Sequence, residues 1–149
     1  DSLILRAESY LKDQAYDEAK EAYERALQAN PNHYFLADAL AHIEYYQHHT
    51  AAERQAQYQA VVGSYGDRNF WMEDGRLYYK RLPFENRYFP TMELLPISEN
   101  RYINLTRQRI SMAFDFQNEQ ATASFSYVHD QDPEGWHVNS LEGDYHPRD

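Results

Sequence analysis

Cysteine is absent from the 149 residues, which removes disulfide frameworks, thiolate zinc sites and cysteine nucleophiles from consideration. The redox compartment stays open, because a missing residue type says nothing about it. Basic residues are scarce: 14 Lys and Arg stand against 24 Asp and Glu, a formal charge of −10. The few cations are dispersed, so phosphate backbones and anionic lipid surfaces are repelled, and nucleic acid is excluded as the expected partner. No apolar run reaches the length of a membrane span, and no signal-peptide pattern opens the chain. Asp1 stands where an initiator Met would, which sets the expectation of a piece cut or processed from a longer polypeptide. A Gly-x-Ser-x-Gly elbow and a phosphate-binding glycine loop are both missing.

Glycine and proline are unevenly spread. Residues 1–62 hold only Pro31, while all five Gly and the other five Pro follow from Gly63 onward. In the first stretch Ala19, Tyr23, Ala26 and Leu27 recur at helical spacing, as do Phe35, Leu36, Ala39, Leu40, Ile43 and Tyr46. Thr50 with Glu53 reads as a capping box opening a further helix, so four helices are expected. Beyond Gly63, Phe70-Trp71-Met72 and Leu77-Tyr78-Tyr79 flank Asp74-Gly75, the signal of a tight hairpin. A second hairpin is expected where Ile110, Met112, Phe114 and Phe116 alternate with polar residues. After a polar turn at 117–120 come Ala121, Ala123, Phe125 and Tyr127. Shorter strands are expected over 92–97 and 102–105, around a turn at 98–100. The expected fold is α+β: antiparallel helical hairpins over 1–62, a small antiparallel β meander over 63–130, and a loop or tail over 131–149.

Leu3, Arg6, Ala7, Tyr10, Ala19, Tyr23 and Pro31 occupy the spacing of a tetratricopeptide unit, in which small residues let two antiparallel helices approach and tyrosines fill the space between them. Asp17 and Glu18 suit the positive end of the second helix. The segment 16–32 resembles the tetratricopeptide repeat family, with Arg6 and Leu3 as departures from its usual residues. One repeat length on, Leu40 and Ala41 fall correctly, but Glu44 replaces a tyrosine, so the second unit reads as a degraded or capping repeat. That resemblance implies a concave groove on the first helices that holds a peptide or a neighbouring domain, presenting Glu8, Lys12, Asp38, His42 and Tyr45. The same five residues read equally well as a solvated helix face.

The stretches 62–68, 72–79 and 93–100 are similar to the small β domain that follows tetratricopeptide-like helices in bacterial secreted serine hydrolases of the penicillin-recognising and tail-specific-peptidase types. That resemblance implies a catalytic domain ahead of Asp1, a periplasmic or secreted location, and a non-catalytic accessory role by protein or peptide contact. An alternative is a free-standing tetratricopeptide-like binding protein. A second is a small-ligand binder whose β half forms a cup lined by Trp71, Tyr79, Phe114, Phe125 and Tyr127. Fourteen tyrosines are compatible with self-association or with a seal between the two halves.

Other motifs carry less. Ser9-x-x-Lys12 matches the penicillin-recognising signature, yet it lies inside a repeat helix and its partner motifs are missing. His42, His48 and His49 diverge on a helix, so a wet helix end outweighs a metal site. Asp130 to Gly135 imitates the start of a calcium loop, but Leu141 stands where the bidentate Glu belongs. Asn104-Leu105-Thr106 is a glycosylation sequon of the kind that arises by chance. No cofactor and no catalytic residue is expected in this chain.

Overall fold

The computed structural model describes residues 2–83, 88, 90–104, 110–117, 120–127 and 145–147. Four helices come first: α1 (Ser2–Lys12), α2 (Tyr16–Ala29), α3 (Tyr34–Gln47) and α4 (Ala51–Val61). The turn between α1 and α2 closes through Ala15 N–H to the Tyr10 carbonyl at 2.8 Å and Gln14 N–H to the Leu11 carbonyl at 3.0 Å. Gln14 takes φ 61°, the left-handed residue that such a helix end requires. Ala7, Ala19, Ala22 and Ala26 are buried beside Tyr23, as a close-packed antiparallel pair demands. Phe35, Leu36, Ala39 and Ile43 of α3 complete this first core.

Thr50 opens α4 with the expected capping box. Its side chain accepts from Glu53 N–H at 3.1 Å, and the Glu53 carboxylate accepts from Thr50 N–H at 2.8 Å. Arg54 closes the end of α3 by donating to the carbonyls of Tyr46 and His49. α4 does not repeat the packing of α2, for its Tyr58 and Val61 enter the core of the sheet instead. The change from helix to strand at Val62 is therefore not the change from one core to the other.

Eight antiparallel strands follow in sequence order: β1 (Gly63–Tyr65), β2 (Arg68–Glu73), β3 (Arg76–Arg81), β4 (Met92–Pro96), β5 (Arg101–Ile103), β6 (Ile110–Gln117), β7 (Gln120–Tyr127) and β8 (Tyr145–Pro147). The β2–β3 hairpin turns on Asp74 (φ 53°) and Gly75 (φ 75°), both left-handed, the two-residue connection that Asp-Gly favours. β6 and β7 pair along their full length, from Ile110↔Tyr127 to Gln117↔Gln120. The inner face carries Phe70, Leu77, Tyr79, Met92, Leu94, Tyr102, Met112 and Phe114, with Phe70 and Phe114 edge-to-face on Tyr65, and it is covered by Tyr58 and Val61. Each of these aromatic side chains removes a large apolar area from water, on the order of 1.5–3 kcal/mol apiece.

One departure concerns 131–149, expected to be loop or tail. Residues 145–147 form β8, pairing with β7 from Ser124↔Tyr145 to Thr122↔Pro147. A short strand ending in proline is a common way to close a long edge such as β7, since proline has no N–H to offer beyond it.

Candidate binding site

The helical face expected to hold a peptide or a neighbouring domain meets the sheet. His42, one of the five residues that the groove was expected to present, is buried at 2 % exposure, which rules out the solvated helix face at that position. Its Nδ1 lies 2.8 Å from the Pro96 carbonyl oxygen. A carbonyl only accepts, so Nδ1 carries the proton and the other ring nitrogen is the acceptor of a neutral imidazole. Burial pulls the His42 pKa down to about 4, against the opposite pull of the Pro96 hydrogen bond. Tyr45 is likewise engaged: its hydroxyl donates to Gln57 Oε1 at 2.7 Å, and Gln57 Nε2 donates to the Ser98 carbonyl at 2.8 Å. A chain of hydrogen bonds thus runs from α3 through α4 to the β4–β5 turn. Asp38 is half-buried on the same helix, and burial raises its carboxyl to about 6 while Arg101 pulls it back.

Glu8 and Lys12, the remaining two of the five groove residues, line a cavity of about 350 Å³ between the helices and the sheet. α1 contributes Glu8, Leu11 and Lys12, and Gln14 follows in the turn. Opposite stand Met92, Glu93 and Leu94 of β4, with Arg76 at the mouth of the hairpin. Tyr16, His42, Tyr46 and Tyr58 line the part between. The aromatic portion is a stack: Tyr16 lies on Tyr46 with centroids 4.6 Å apart, and the Arg54 guanidinium lies 3.6 Å from the Tyr46 centroid. Burial, reinforced by the neighbouring Tyr46 hydroxyl, drives the Tyr16 phenol well above its ordinary range. Burial also raises Glu93, opposed by Arg76, whose Nη1 is 3.5 Å from Glu93 Oε1.

The five cup residues do not share one surface. Phe70 pairs with Tyr79 and Trp71 with Tyr78, so adjacent Phe70 and Trp71 point to opposite faces of the sheet. Tyr79 and Phe114 are inside the filled core at 3 % and 1 % exposure, whereas Trp71 is partly exposed and stacks on Tyr78 across the outer face at 6.0 Å. The cup reading is corrected accordingly: α4 and the inner aromatics occupy the space it would need. The side chains of Phe125 and Tyr127 lie outside the described residues.

The other motifs are placed as follows. His48 and His49 turn their Nδ1 atoms to the Glu44 and Tyr45 carbonyls, each at 2.7 Å, closing the last turn of α3. Among the described residues no group of three metal-ligating side chains converges. Ser9 is exposed on α1. Asn104 is buried, and its Nδ2 donates to the Glu93 carbonyl at 2.7 Å, bracing β4 rather than offering an amide to solvent. The calcium-like stretch 130–135 lies outside the described residues. Sequence reasoning missed Tyr16, Tyr46, Tyr58, Arg76 and Glu93, because the cavity unites positions far apart in the chain and no local spacing marks them. No described helix is long and apolar enough to cross a membrane.

No curated protein and no solved structure matches this chain. The family described as tetratricopeptide repeat matches residues 1–33, the segment that folds into α1, α2 and the turn after them. The chain therefore opens with a tetratricopeptide-like repeat, whose α1 forms one wall of a cavity closed on the other side by the chain's own sheet.

Proposed function

We propose that this chain is a non-catalytic interaction module acting by protein or peptide contact. The observation that carries the reading is that the helical half already holds polypeptide: His42 of α3 binds a backbone carbonyl of β4, and Tyr45 reaches the β4–β5 turn through Gln57. Tetratricopeptide units as a class mediate protein contact, and here the docked polypeptide is the β half itself. His42 is the one histidine at the cavity among the described residues, and it gives its Nδ1 proton to the Pro96 carbonyl rather than orienting against a carboxylate as a catalytic base would.

The finer form of the proposal makes the module the C-terminal accessory part of a periplasmic or secreted serine hydrolase. What supports it is the likeness of 62–68, 72–79 and 93–100 to such domains, together with their position on β1 to β4 directly after tetratricopeptide-like helices. Two measurements test the two levels separately. The purified chain is incubated with ester, peptide and β-lactam substrates, and turnover above buffer would overturn the non-catalytic reading. The native reading frame is then sequenced upstream of Asp1. A serine-hydrolase catalytic segment there supports the accessory role, and its absence removes the hydrolase while leaving the interaction module standing.

A further inference from the structure

The cavity between α1 and β4 is left over after the two halves dock, and its lining has a chemical pattern of its own. Each of its two principal walls carries one acid and one base. Glu8 and Lys12 are four residues apart on α1 and so lie on the same helix face, one turn from each other. Across from them Arg76 and Glu93 come from neighbouring strands, 3.5 Å apart and each about two-fifths exposed, a contact loose enough to exchange partners. The four formal charges cancel, so a ligand with a single net charge gains attraction from one pair of groups and repulsion from the other. Leu11, Tyr16 and Tyr46, each only partly buried, add apolar and aromatic surface to the lining. The volume of about 350 Å³ is at the small end of ligand pockets, too little for a folded segment and suited to a compact molecule.

We propose that this cavity binds a small zwitterion, an α-amino acid or dipeptide with an apolar side chain. The carboxylate lies toward Lys12 and Arg76, the ammonium toward Glu8 and Glu93, and the side chain enters against Leu11, Tyr16 and Tyr46. The acceptor nitrogen of His42 supplies a further partner for the ammonium or for a peptide N–H. This goes beyond the interaction reading: the module could dock proteins with the cavity empty, and the cavity could bind a zwitterion whatever the module docks.

Four probes with one side chain test it by calorimetric titration of the intact chain: L-leucyl-L-leucine, its C-terminal amide, its N-acetyl derivative and the doubly blocked N-acetyl amide. Saturable binding of the zwitterion is expected, with affinity falling about tenfold or more on loss of either charge, since a tenfold change needs only about one charge-assisted hydrogen bond. K12A, at an exposed position, is expected to weaken the free dipeptide about tenfold and to have little effect on the dipeptide amide, whereas K20A on the outer side of α2 changes neither. Folding of both variants is checked by circular dichroism. The proposal is overturned if the doubly blocked probe binds as tightly as the zwitterion, if none of the four binds, or if folded K12A retains full affinity.

Discussion

His42 of α3 and Pro96 of β4, 54 positions apart in the chain, are joined by a hydrogen bond of 2.8 Å that ties the helical half to the sheet. Proline has no N–H for a strand ladder, and its carbonyl here accepts from the imidazole N–H. Removing the donor leaves that oxygen in a buried place without its partner. His42→Ala is expected to lower the free energy of unfolding by about 2–4 kcal/mol, the sum of an unsatisfied carbonyl and a lost ring. Urea unfolding measures it, and a loss below about 0.5 kcal/mol would show that the helix–sheet contact does not depend on this bond.

A buried group and a half-buried one on α3 give the stability a pH dependence of opposite signs. His42 has its folded pKa lowered from 6.5 to about 4, so the unfolded chain binds the extra proton between these values. Its contribution is fully present above about pH 6.5 and is lost as pH falls toward 4. Asp38 has its folded pKa raised from 3.8 to about 6, so the folded chain binds the extra proton, and its contribution is present below about 3.8 and lost as pH rises through 6. Between pH 4 and 6 the two oppose each other. Asp38→Asn removes one arm, and its unfolding midpoint is expected to fall more steeply with acid over that window than that of the parent chain. Parallel pH profiles for the two proteins would contradict the assignment.

The turn residues have separable costs. Gly75 sits at φ +75°, and a Cβ there would meet only Gln55 Nε2 at 3.8 Å, so space is available and the backbone alone objects. Gly75→Ala is expected to cost about 1–2 kcal/mol from the left-handed conformation. Thr50→Ala, which dismantles the capping box of α4, is expected to cost about 1 kcal/mol. Thermal melts of the single and double variants should show near-additive losses. A double variant much more stable than the sum would mean that the hairpin and α4 unfold as one coupled piece.

Phe114 and Trp71 distinguish a filled sheet from an open cup. Phe114 touches Tyr65, Phe70 and Tyr102 within the core, with ring centroids 5.2 to 5.7 Å apart. Phe114→Ala is expected to cost about 3–5 kcal/mol, against about 1 kcal/mol or less for Trp71→Ala on the outer face. Equal losses at the two positions, measured by denaturant unfolding, would place both rings in one environment and revive the cup.

Local chemistry made much of this fold legible. Asp74-Gly75 needs two left-handed residues and finds them, Thr50 and Glu53 satisfy each other across one turn, and alternation along β6 and β7 sets their pairing. Alanines at helical spacing with Tyr23 between them specify the α1–α2 hairpin and the tetratricopeptide-like repeat. Each of these signals is confined to a few neighbouring residues, so the sequence carries it whole. What only the tertiary structure decided is which surfaces meet. His42 and Tyr45 look on paper like any polar positions of an amphipathic helix, and the burial of His42 and the tie of Tyr45 to the β4–β5 turn come from the sheet folding back onto the helices. Trp71 and Tyr79 both look like core aromatics until the register assigns them to opposite faces. The cavity exists only because α1, α3 and β4 enclose a space they do not fill, and its lining comes from residues up to 96 positions apart, Glu8 and Asn104, whose proximity no spacing in the chain encodes.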